Sequence, residues 1–249
     1  QVAIAADTNA EFSGKFNNNE IYFYTEDNTT YFSFHGIHAL ADPGPYPLEI
    51  TANFSDGTEQ TFEQLVMLSA GLYGNEWVNV PEEYLDESVI DEEDAYLQPI
   101  LNKVTPVKYW DGPFHYPVDE PLVISPYGQR RNYNDGGLYF YHTGIDFKAN
   151  APNLNVYATA TGEVVLTEEL KIKGNAIIID HGWGVYSIYC HLSEFNVSVG
   201  DFVNPGDIIG QIGDTGRSVG PHLHFEIDIT GTPINPQTWF NQEFPPQEP

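Results

Sequence analysis

Short runs of aromatic and β-branched residues, separated by turn-forming residues, follow one another along most of this chain. The first runs occupy residues 21–24, 31–34, 48–54 and 61–66. Ser55, Asp56 and Gly57 lie between the last two runs and tolerate the dihedral angles of a tight hairpin turn. After residue 107 no amphipathic helical pattern of convincing length occurs. Together with 16 Tyr, 15 Phe, 22 Gly and 18 Pro residues, this pattern predicts a mainly β fold.

The length of 249 residues suits one large domain or two ordinary ones. Residues 1–80 are predicted to form an immunoglobulin-like β-sandwich that acts as an accessory domain. Residues 81–108 are acid-rich and are predicted to be a linker with helical turns, in which Asp91 is a candidate helix N-cap and Pro99 stops or kinks the helix. The acidic run is interpreted as a solvated face. Residues 109–249 are predicted to form the second domain.

The formal net charge is -27, which repels nucleic acid and anionic membrane surfaces, so neither is an expected partner. Cys190 is the single cysteine, which excludes an intramolecular disulfide framework and a cysteine-rich zinc site. We interpret Cys190 as a buried apolar residue on the strand face opposite to His191. No apolar run of membrane-spanning length occurs. Because the chain begins at Gln1 and its single methionine is Met67, a removed signal peptide or anchor is compatible with it.

A pair of histidines, His222 and His224, lies within an apolar segment that is predicted to be a strand. Side chains alternate along a strand, so both histidines point to one face while Leu223 packs on the other. Two histidines on a solvated strand face and a metal or substrate site are both consistent with this spacing. The pair alone does not decide between them.

Two further elements carry residues of the same chemistry. His142 and Asp146 are four residues apart, which places them on one face of a strand and also on one face of a helix. Gly144 and the neighbouring aromatic residues favour the strand. His191 ends the strand-like run of residues 186–192. Imidazole nitrogens and a carboxylate oxygen are groups that bind zinc.

The order of three motifs resembles the lysostaphin-type or LytM-type endopeptidases, which are the family M23 metallopeptidases. The motifs are HTGID at 142–146, IDHGWG at 179–184 leading to YCHLS at 189–193, and GDTGRSVGPHLHFE at 213–226. The resemblance runs from about Trp110 to Trp239 and includes the glycine-rich hairpin at 200–210. It implies a mainly antiparallel β-sheet that forms a groove, of the LytM/M23 (duplicated hybrid motif) type.

The resemblance implies one zinc ion per chain, held by His142, Asp146 and His224, and it implies that His191 and His222 are catalytic. Three such ligands leave an open position for water, as hydrolytic zinc sites require. Zinc lowers the pKa of bound water from about 15.7 to about 7. One free imidazole then accepts the water proton while the other hydrogen-bonds to the developing oxyanion. The sequence does not decide which histidine does which.

The remaining histidines are interpreted differently. His35, His38 and His115 have no spaced partner and are interpreted as structural or surface residues. His181 is interpreted as a turn-forming residue that supports the strand of His191.

The leading hypothesis is an exported zinc endopeptidase, extracellular or in the cell envelope, that cuts peptide cross-bridges or stem peptides of bacterial peptidoglycan and acts as a monomer. One alternative is a catalytically silent relative that binds murein or regulates an amidase. Another is a peptidase of the same chemistry that acts on peptides outside the wall. Residues 1–108 suggest no choice between positioning the enzyme, binding the wall and covering the site.

Overall fold

The computed structural model describes residues 1–5, 10–136, 138–149 and 153–245. The chain is mainly β and divides into two compact units, Gln1–Gly71 and Leu72–Pro249. The first unit therefore ends nine residues before the domain boundary at residue 80 that the composition suggests. None of the helices in the described ranges is long and apolar enough to span a membrane.

The described residues of the first unit form six strands. They are β1 (Val2–Ala5), β2 (Ala10–Phe16), β3 (Asn19–Ile21), β4 (Thr30–Ser33), β5 (Gly44–Phe54) and β6 (Glu59–Leu68). Four of them form an antiparallel sheet in the order β3-β2-β5-β6, and β1 pairs with β4. The predicted hairpin at residues 55–57 is confirmed, since Gly57 has a φ of 83° and the Phe54 N–H donates to the Thr58 carbonyl at 2.9 Å.

The core of the first unit is small and combines aliphatic and aromatic residues. Phe16, Ile21, Leu48 and Ile50 are buried at its centre, and residues of β1 pack against them. The alternation of apolar and polar residues along β2 and β5 places one face of this sheet in the core. The immunoglobulin-like arrangement of these strands stays a prediction.

The second unit is larger. Its helices are α1 (Glu87–Leu101) and α2 (Gln237–Asn241), and a 3₁₀ turn spans Glu82–Tyr84. Its strands are β7 (Asn75–Val78), β8 (Val123–Ser125), β9 (Arg130–Tyr133), β10 (Leu138–Tyr141), β11 (Ile145–Lys148), β12 (Asn155–Tyr157), β13 (Gly162–Leu170), β14 (Gly174–Gly182), β15 (Val185–Phe195), β16 (Phe202–Val203), β17 (Ile208–Ile212), β18 (His222–Ile229) and β19 (Thr232–Ile234).

In the described part of the second unit the largest sheet has ten strands, and its main path runs β16-β13-β14-β15-β18-β11-β8. A separate small sheet has the order β10-β9-β7, in which β7 and β9 are parallel. Strand β18 is central, antiparallel to both β15 and β11. Every residue of β18 is buried, so its side chains have fixed positions on both faces of the sheet.

The two faces of the large sheet are covered by different elements. Leu97 and Leu101 of α1 pack on one face, against apolar residues of β13, β14 and β15. On the opposite face Phe225 of β18 stacks with Phe240 of α2 at 5.6 Å between ring centroids. Burial of these large apolar side chains is the main source of stability for such a sheet.

Helix α1 lies within the segment that the sequence suggests to be a linker with helical turns. Its N-cap is Asp86, whose carboxylate accepts the Ser88 N–H at 3.0 Å, so the proposed cap at Asp91 is wrong: Asp91 lies inside the helix. Pro99 stands in the last turn, and the helix ends at Leu101. Its ring does not break the helix this close to the end because few intrahelical bonds remain to be lost.

One acidic residue of α1 departs from the solvated face that the charge run suggests. Glu93 is buried, and its carboxylate accepts the backbone N–H groups of Ile172 at 2.7 Å and Lys173 at 3.0 Å. A buried carboxylate is stable when backbone donors satisfy its oxygens. Glu93 therefore fixes the turn between β13 and β14 to helix α1.

Asp228 is a buried carboxyl group near the end of β18. Its carboxylate accepts the Gly231 N–H at 2.6 Å, and burial, with a smaller contribution from the Glu226 charge, raises its pKa to about 8. The pKa of an unfolded aspartate is about 3.9. The folded chain therefore holds this proton more tightly, so the stabilising contribution is complete below about pH 4 and is lost as the pH rises through about 8.

We expect Asp228→Asn to remove this pH dependence. Between about pH 6 and about pH 8.5 the free energy of unfolding of the wild type should fall by about 2–3 kcal/mol relative to that of the variant. Urea unfolding followed by circular dichroism at the two pH values measures this difference. Asp111→Asn, at an exposed position, is the matched control. Parallel pH curves for wild type and Asp228→Asn would contradict the prediction.

Candidate metal centre

The centre of the site is a cross-strand pair on the large sheet. Asp146 of β11 stands directly opposite His224 of β18 in the antiparallel register. Directly paired residues place their side chains on the same face, about 5 Å apart at Cβ. The next residue in this row is Cys190 of β15. The sheet register therefore places Asp146 and His224 side by side without any contribution from flexible loops.

His142 reaches the same place from the segment between β10 and β11. Its backbone N–H donates to the Gln129 carbonyl at 2.8 Å, and its carbonyl accepts the Gly128 N–H at 2.8 Å. Gly144 allows the segment to pass close to β18, because a Cβ atom at this position would lie 2.2 Å from the Phe225 carbonyl oxygen. His142 therefore lies in the segment before β11, and only Asp146 lies in the strand itself. The expectation that both residues lie along one continuous strand is wrong, although their side chains do meet.

The three side chains converge on one point. The Asp146 Oδ1 atom lies 2.9 Å from His142 Nε2 and 2.8 Å from His224 Nδ1, and the two ring nitrogens are 2.9 Å apart. All three residues are buried. Each contributes one atom to a group in which all ligand atoms lie within 4.8 Å of one another.

The other ring nitrogens show which atoms carry hydrogens. His142 Nδ1 donates to the Pro126 carbonyl at 2.9 Å, and His224 Nε2 donates to the Glu226 carboxylate at 2.7 Å. In neutral rings this leaves lone pairs on His142 Nε2 and His224 Nδ1, both directed at the Asp146 oxygen. Three electron-pair donors without a hydrogen between them fit a divalent cation, and two imidazoles with one carboxylate are a donor set that zinc accepts.

The pKa values of the three candidate ligands also indicate an environment that favours positive charge. Burial raises the pKa of Asp146, but His142 and His224 outweigh it and hold that pKa well below its usual range. Burial lowers the pKa of His142. Burial also opposes charge on His224, yet the carboxylates of Asp146 and Glu226 raise its pKa. The site is therefore electrostatically prepared for a cation.

Charged partners hold two of the three candidate ligands, Asp146 and His224, in orientation. Asp146 uses its second oxygen, Oδ2, to accept from Arg131 Nη2 at 2.6 Å, and the Nε atom of Arg131 donates to Glu76 at 2.8 Å. Behind His224, Glu226 accepts from Lys173 Nζ at 2.8 Å. Such supporting bonds fix ring and carboxylate orientation and tune ligand strength.

Sequence reasoning did not identify these supporting residues. Glu226 carried a usable signal, because it lies two residues after His224 and so shares its strand face. Arg131, Glu76 and Lys173 come from segments distant in sequence, and no local spacing points to them.

His191 and His222 lie next to the cluster. Their ring centroids are 4.8 Å apart, and His222 Nε2 is 3.8 Å from Asp146 Oδ1. His191 Nδ1 donates to the Thr215 carbonyl at 2.8 Å, and His222 Nδ1 donates to the Gly220 carbonyl at 2.8 Å. In both neutral rings Nε2 is therefore the nitrogen with a free lone pair.

His191 has a left-handed backbone, with a φ of 62°. This conformation is uncommon for a residue other than glycine and costs free energy, and it is concentrated at functional sites. It also interrupts the alternation of β15, whose register shifts just after this position. Cys190 is buried as expected, but it lines the same pocket as His191 instead of facing away. The expectation of opposite faces fails because alternation requires an extended backbone.

The remaining histidines lie outside this cluster. His181 is buried, its Nδ1 donates to the Thr161 carbonyl at 2.8 Å, and burial lowers its pKa to about 4. His35 packs on Phe16 in the first unit, with 5.0 Å between ring centroids. His115 is exposed. None of them belongs to the group formed by His142, Asp146 and His224.

Part of this chain is similar in sequence to known peptidases. Residues 140–236 match the profile of Peptidase family M23. A DD-carboxypeptidase/endopeptidase of Neisseria meningitidis is 42% identical over 121 residues, which are 47% of this chain and 27% of that protein. The peptidoglycan DD-endopeptidase ShyA of Vibrio cholerae is 39% identical over 121 residues, covering 48% of this chain and 28% of that protein. The match thus spans little more than a quarter of these relatives.

A solved structure shows a similar fold. A Pseudomonas aeruginosa protein assigned to peptidase M23 superposes with a TM-score of 0.67 at 23% sequence identity, over 92% of this chain and 87% of that one. At this identity the likeness concerns the fold alone.

We expect Glu226→Gln to weaken metal binding without removing a candidate ligand. The amide oxygen still accepts from His224, but the negative charge that polarises this imidazole is lost. Zinc affinity, measured by competition with a chromophoric chelator, should fall by about 10- to 100-fold. Glu194→Gln, at an exposed position of β15, should leave the affinity unchanged. Equal affinities for wild type and Glu226→Gln would contradict this role.

Proposed function

This chain carries a domain of peptidase family M23, and we propose that it is a zinc-dependent endopeptidase that hydrolyses peptide cross-bridges or stem peptides of bacterial peptidoglycan. The observation that supports it most is the convergence of His142 Nε2, Asp146 Oδ1 and His224 Nδ1 beside the imidazoles of His191 and His222. The first three are the proposed zinc ligands, and the last two are the proposed catalytic residues.

The donor set and its orientation fit one zinc ion per chain. Three protein ligands leave a coordination position open, as catalytic zinc sites do. When bound, zinc supplies Lewis-acid chemistry, which makes water acidic near neutral pH and polarises a peptide carbonyl. Arg131 keeps the Asp146 carboxylate from rotating, because it holds the second oxygen at 2.6 Å. Glu226 likewise holds the ring of His224 at 2.7 Å.

His191 and His222 handle the protons of the reaction. Each donates a hydrogen bond from Nδ1 to a backbone carbonyl, so Nε2 is free to accept a proton. A proton accepted there from water can be passed on to the leaving amine. The same Nε2 atom, once protonated, donates a hydrogen bond to an oxyanion. Two imidazoles in the same tautomer, side by side, can act as a base and as a hydrogen-bond donor to the oxyanion.

The choice of peptidoglycan as substrate rests on the names of similar proteins of Vibrio cholerae, which are peptidoglycan DD-endopeptidases. An exported protein, extracellular or in the cell envelope, would meet this substrate. We further propose that the chain works as a monomer, because both proposed catalytic residues and all proposed ligands come from one chain. The first unit contributes none of these residues.

Hydrolysis of murein is the direct test. Purified protein loaded with zinc should release new amino groups from murein sacculi, and removal of zinc with a chelator should stop the release. Inactivity against murein of every peptide type, with hydrolysis of unrelated peptides, would indicate a peptidase that acts outside the wall. Binding of murein without any hydrolysis would indicate a catalytically silent relative.

Two alanine variants test the assignment of roles. His224→Ala should lose zinc, because a proposed ligand is removed, whereas His222→Ala should keep zinc and lose turnover by about 100- to 10,000-fold. Zinc content by atomic absorption and release of amino groups measure the two properties separately. His115→Ala, at an exposed position, should change neither. The reverse pattern for His222 and His224 would overturn the assignment.

A further inference from the structure

Arg217 is a cation in the same pocket as the proposed ligands, and the mechanism does not use it. A pocket of about 50 Å³ is lined by His142, His191 and His224 and also by Arg217. A water molecule needs about 10–15 Å³ by this measure, so the space holds a group larger than one water. The pocket is thus large enough for a carboxylate.

The guanidinium of Arg217 has no anionic partner among the described residues. It stacks on Tyr133, with its carbon 4.7 Å from the ring centroid, and it lies 6.0 Å from the Phe140 ring. Its Nη1 atom is buried and makes no hydrogen bond to the described part of the chain. The two other cations of the pocket differ, since Arg131 pairs with Asp146 and Lys173 pairs with Glu226.

The backbone around Arg217 is held in place. Its N–H donates to the Ile172 carbonyl at 2.9 Å. Gly216 has a φ of 71° and packs against Gly174 so closely that a Cβ atom would lie 2.3 Å from the Gly174 nitrogen. Two residues before Arg217, the Thr215 carbonyl accepts from His191 Nδ1. One loop therefore holds both a proposed catalytic histidine and the unpaired guanidinium.

Arg217 is half-buried, and its Nη1 atom is buried without a hydrogen-bond partner in the described part of the chain. A buried polar atom without a partner costs free energy, which an anion bound at this point would offset. A guanidinium offers a planar pair of N–H groups that matches a carboxylate, and stacking on an aromatic ring orients it further. The neighbouring cations are already neutralised by their own carboxylates, which leaves Arg217 as the group free to bind an anion within this pocket.

We propose that Arg217 binds a free carboxylate of the substrate peptide close to the scissile bond, and so selects peptides that carry this group. The inference deepens the proposed function and rests on it. A carboxylate is the expected anion because the substrate class is a peptide and the space is small. Its source is either an acidic side chain next to the scissile bond or the terminal carboxylate of the peptide.

Pairs of synthetic peptides test the selection. Each pair differs only by carboxylate against carboxamide, either on the side chain next to the scissile bond or at the C-terminus. The zinc-loaded wild type should hydrolyse one acidic peptide with a kcat/KM about 10- to 100-fold above that of its amide. The pair that shows the preference identifies the source of the carboxylate. A wild type without preference in either pair would overturn the proposal.

Variants connect the preference to Arg217. Arg217→Gln should reduce the ratio for acid over amide to about one, mainly by slowing hydrolysis of the acid, and Arg217→Lys should give an intermediate ratio because it keeps the charge and loses the paired N–H groups. Arg130→Gln removes the same charge from an exposed position of β9 and should keep the wild-type ratio. Retention of the full preference in Arg217→Gln would show that another group binds the carboxylate. If Arg217→Gln does not fold, the ratio for Arg217→Lys decides, and a wild-type ratio there contradicts paired hydrogen bonding.

A binding measurement separates this inference from the proposed activity. Calorimetric titration of the zinc-loaded protein with non-hydrolysable acid and amide analogues reports recognition without turnover. Absence of hydrolysis with preferential binding of the acid by the wild type, lost in Arg217→Gln, would contradict the peptidase and support the carboxylate site. Hydrolysis of both peptides with equal binding would support the peptidase and contradict the site.

Discussion

The carboxylate of Asp146 is the contact on which the site depends, because its two oxygens serve two different groups. Oδ1 faces the imidazoles of His142 and His224, while Oδ2 accepts from Arg131. The direct pairing of Asp146 with His224 in the β11–β18 register sets their separation. Buried charges are stable only when they are paired and hydrogen-bonded. Loss of this one carboxylate would leave Arg131 without its inner partner and the two imidazoles without negative charge between them.

Helix α1 contributes to the site although none of its residues reaches it. Glu93 holds the backbone of Ile172 and Lys173. The carbonyls of these two residues in turn accept the N–H groups of Arg217 and His191. The turn between β13 and β14 is therefore a common support for a proposed catalytic residue and for the unpaired cation. Rigid support of this kind maintains the geometry that hydrolysis requires.

Much of the site follows from sequence spacing, and the parts that do not have identifiable physical causes. His222 and His224 share a strand face because alternation holds along an extended, fully buried strand. Alternation fails at His191, whose left-handed backbone is visible only in three dimensions. The acidic run of α1 is solvated as expected except at Glu93. The burial of Glu93 could not be predicted from local sequence, because its two hydrogen-bond partners lie about eighty residues away. The sequence does not single out Asp86 as the helix cap, because several acidic residues nearby are equally good candidates.

Several of the few basic residues of this acidic protein lie at the site. The chain has nine Lys and Arg residues against 36 Asp and Glu, and Arg131, Lys173 and Arg217 all line one pocket. Asp146 and Glu226 neutralise the first two and in doing so orient the proposed ligands. Arg217 remains, half-buried over the ring of Tyr133 and without a carboxylate partner among the described residues. A negative surface repels acidic peptides at long range, so their binding must come from short-range contacts within the pocket. An unpaired, partly desolvated guanidinium provides a contact of this kind, since screening by water and salt is weaker there than at the open surface.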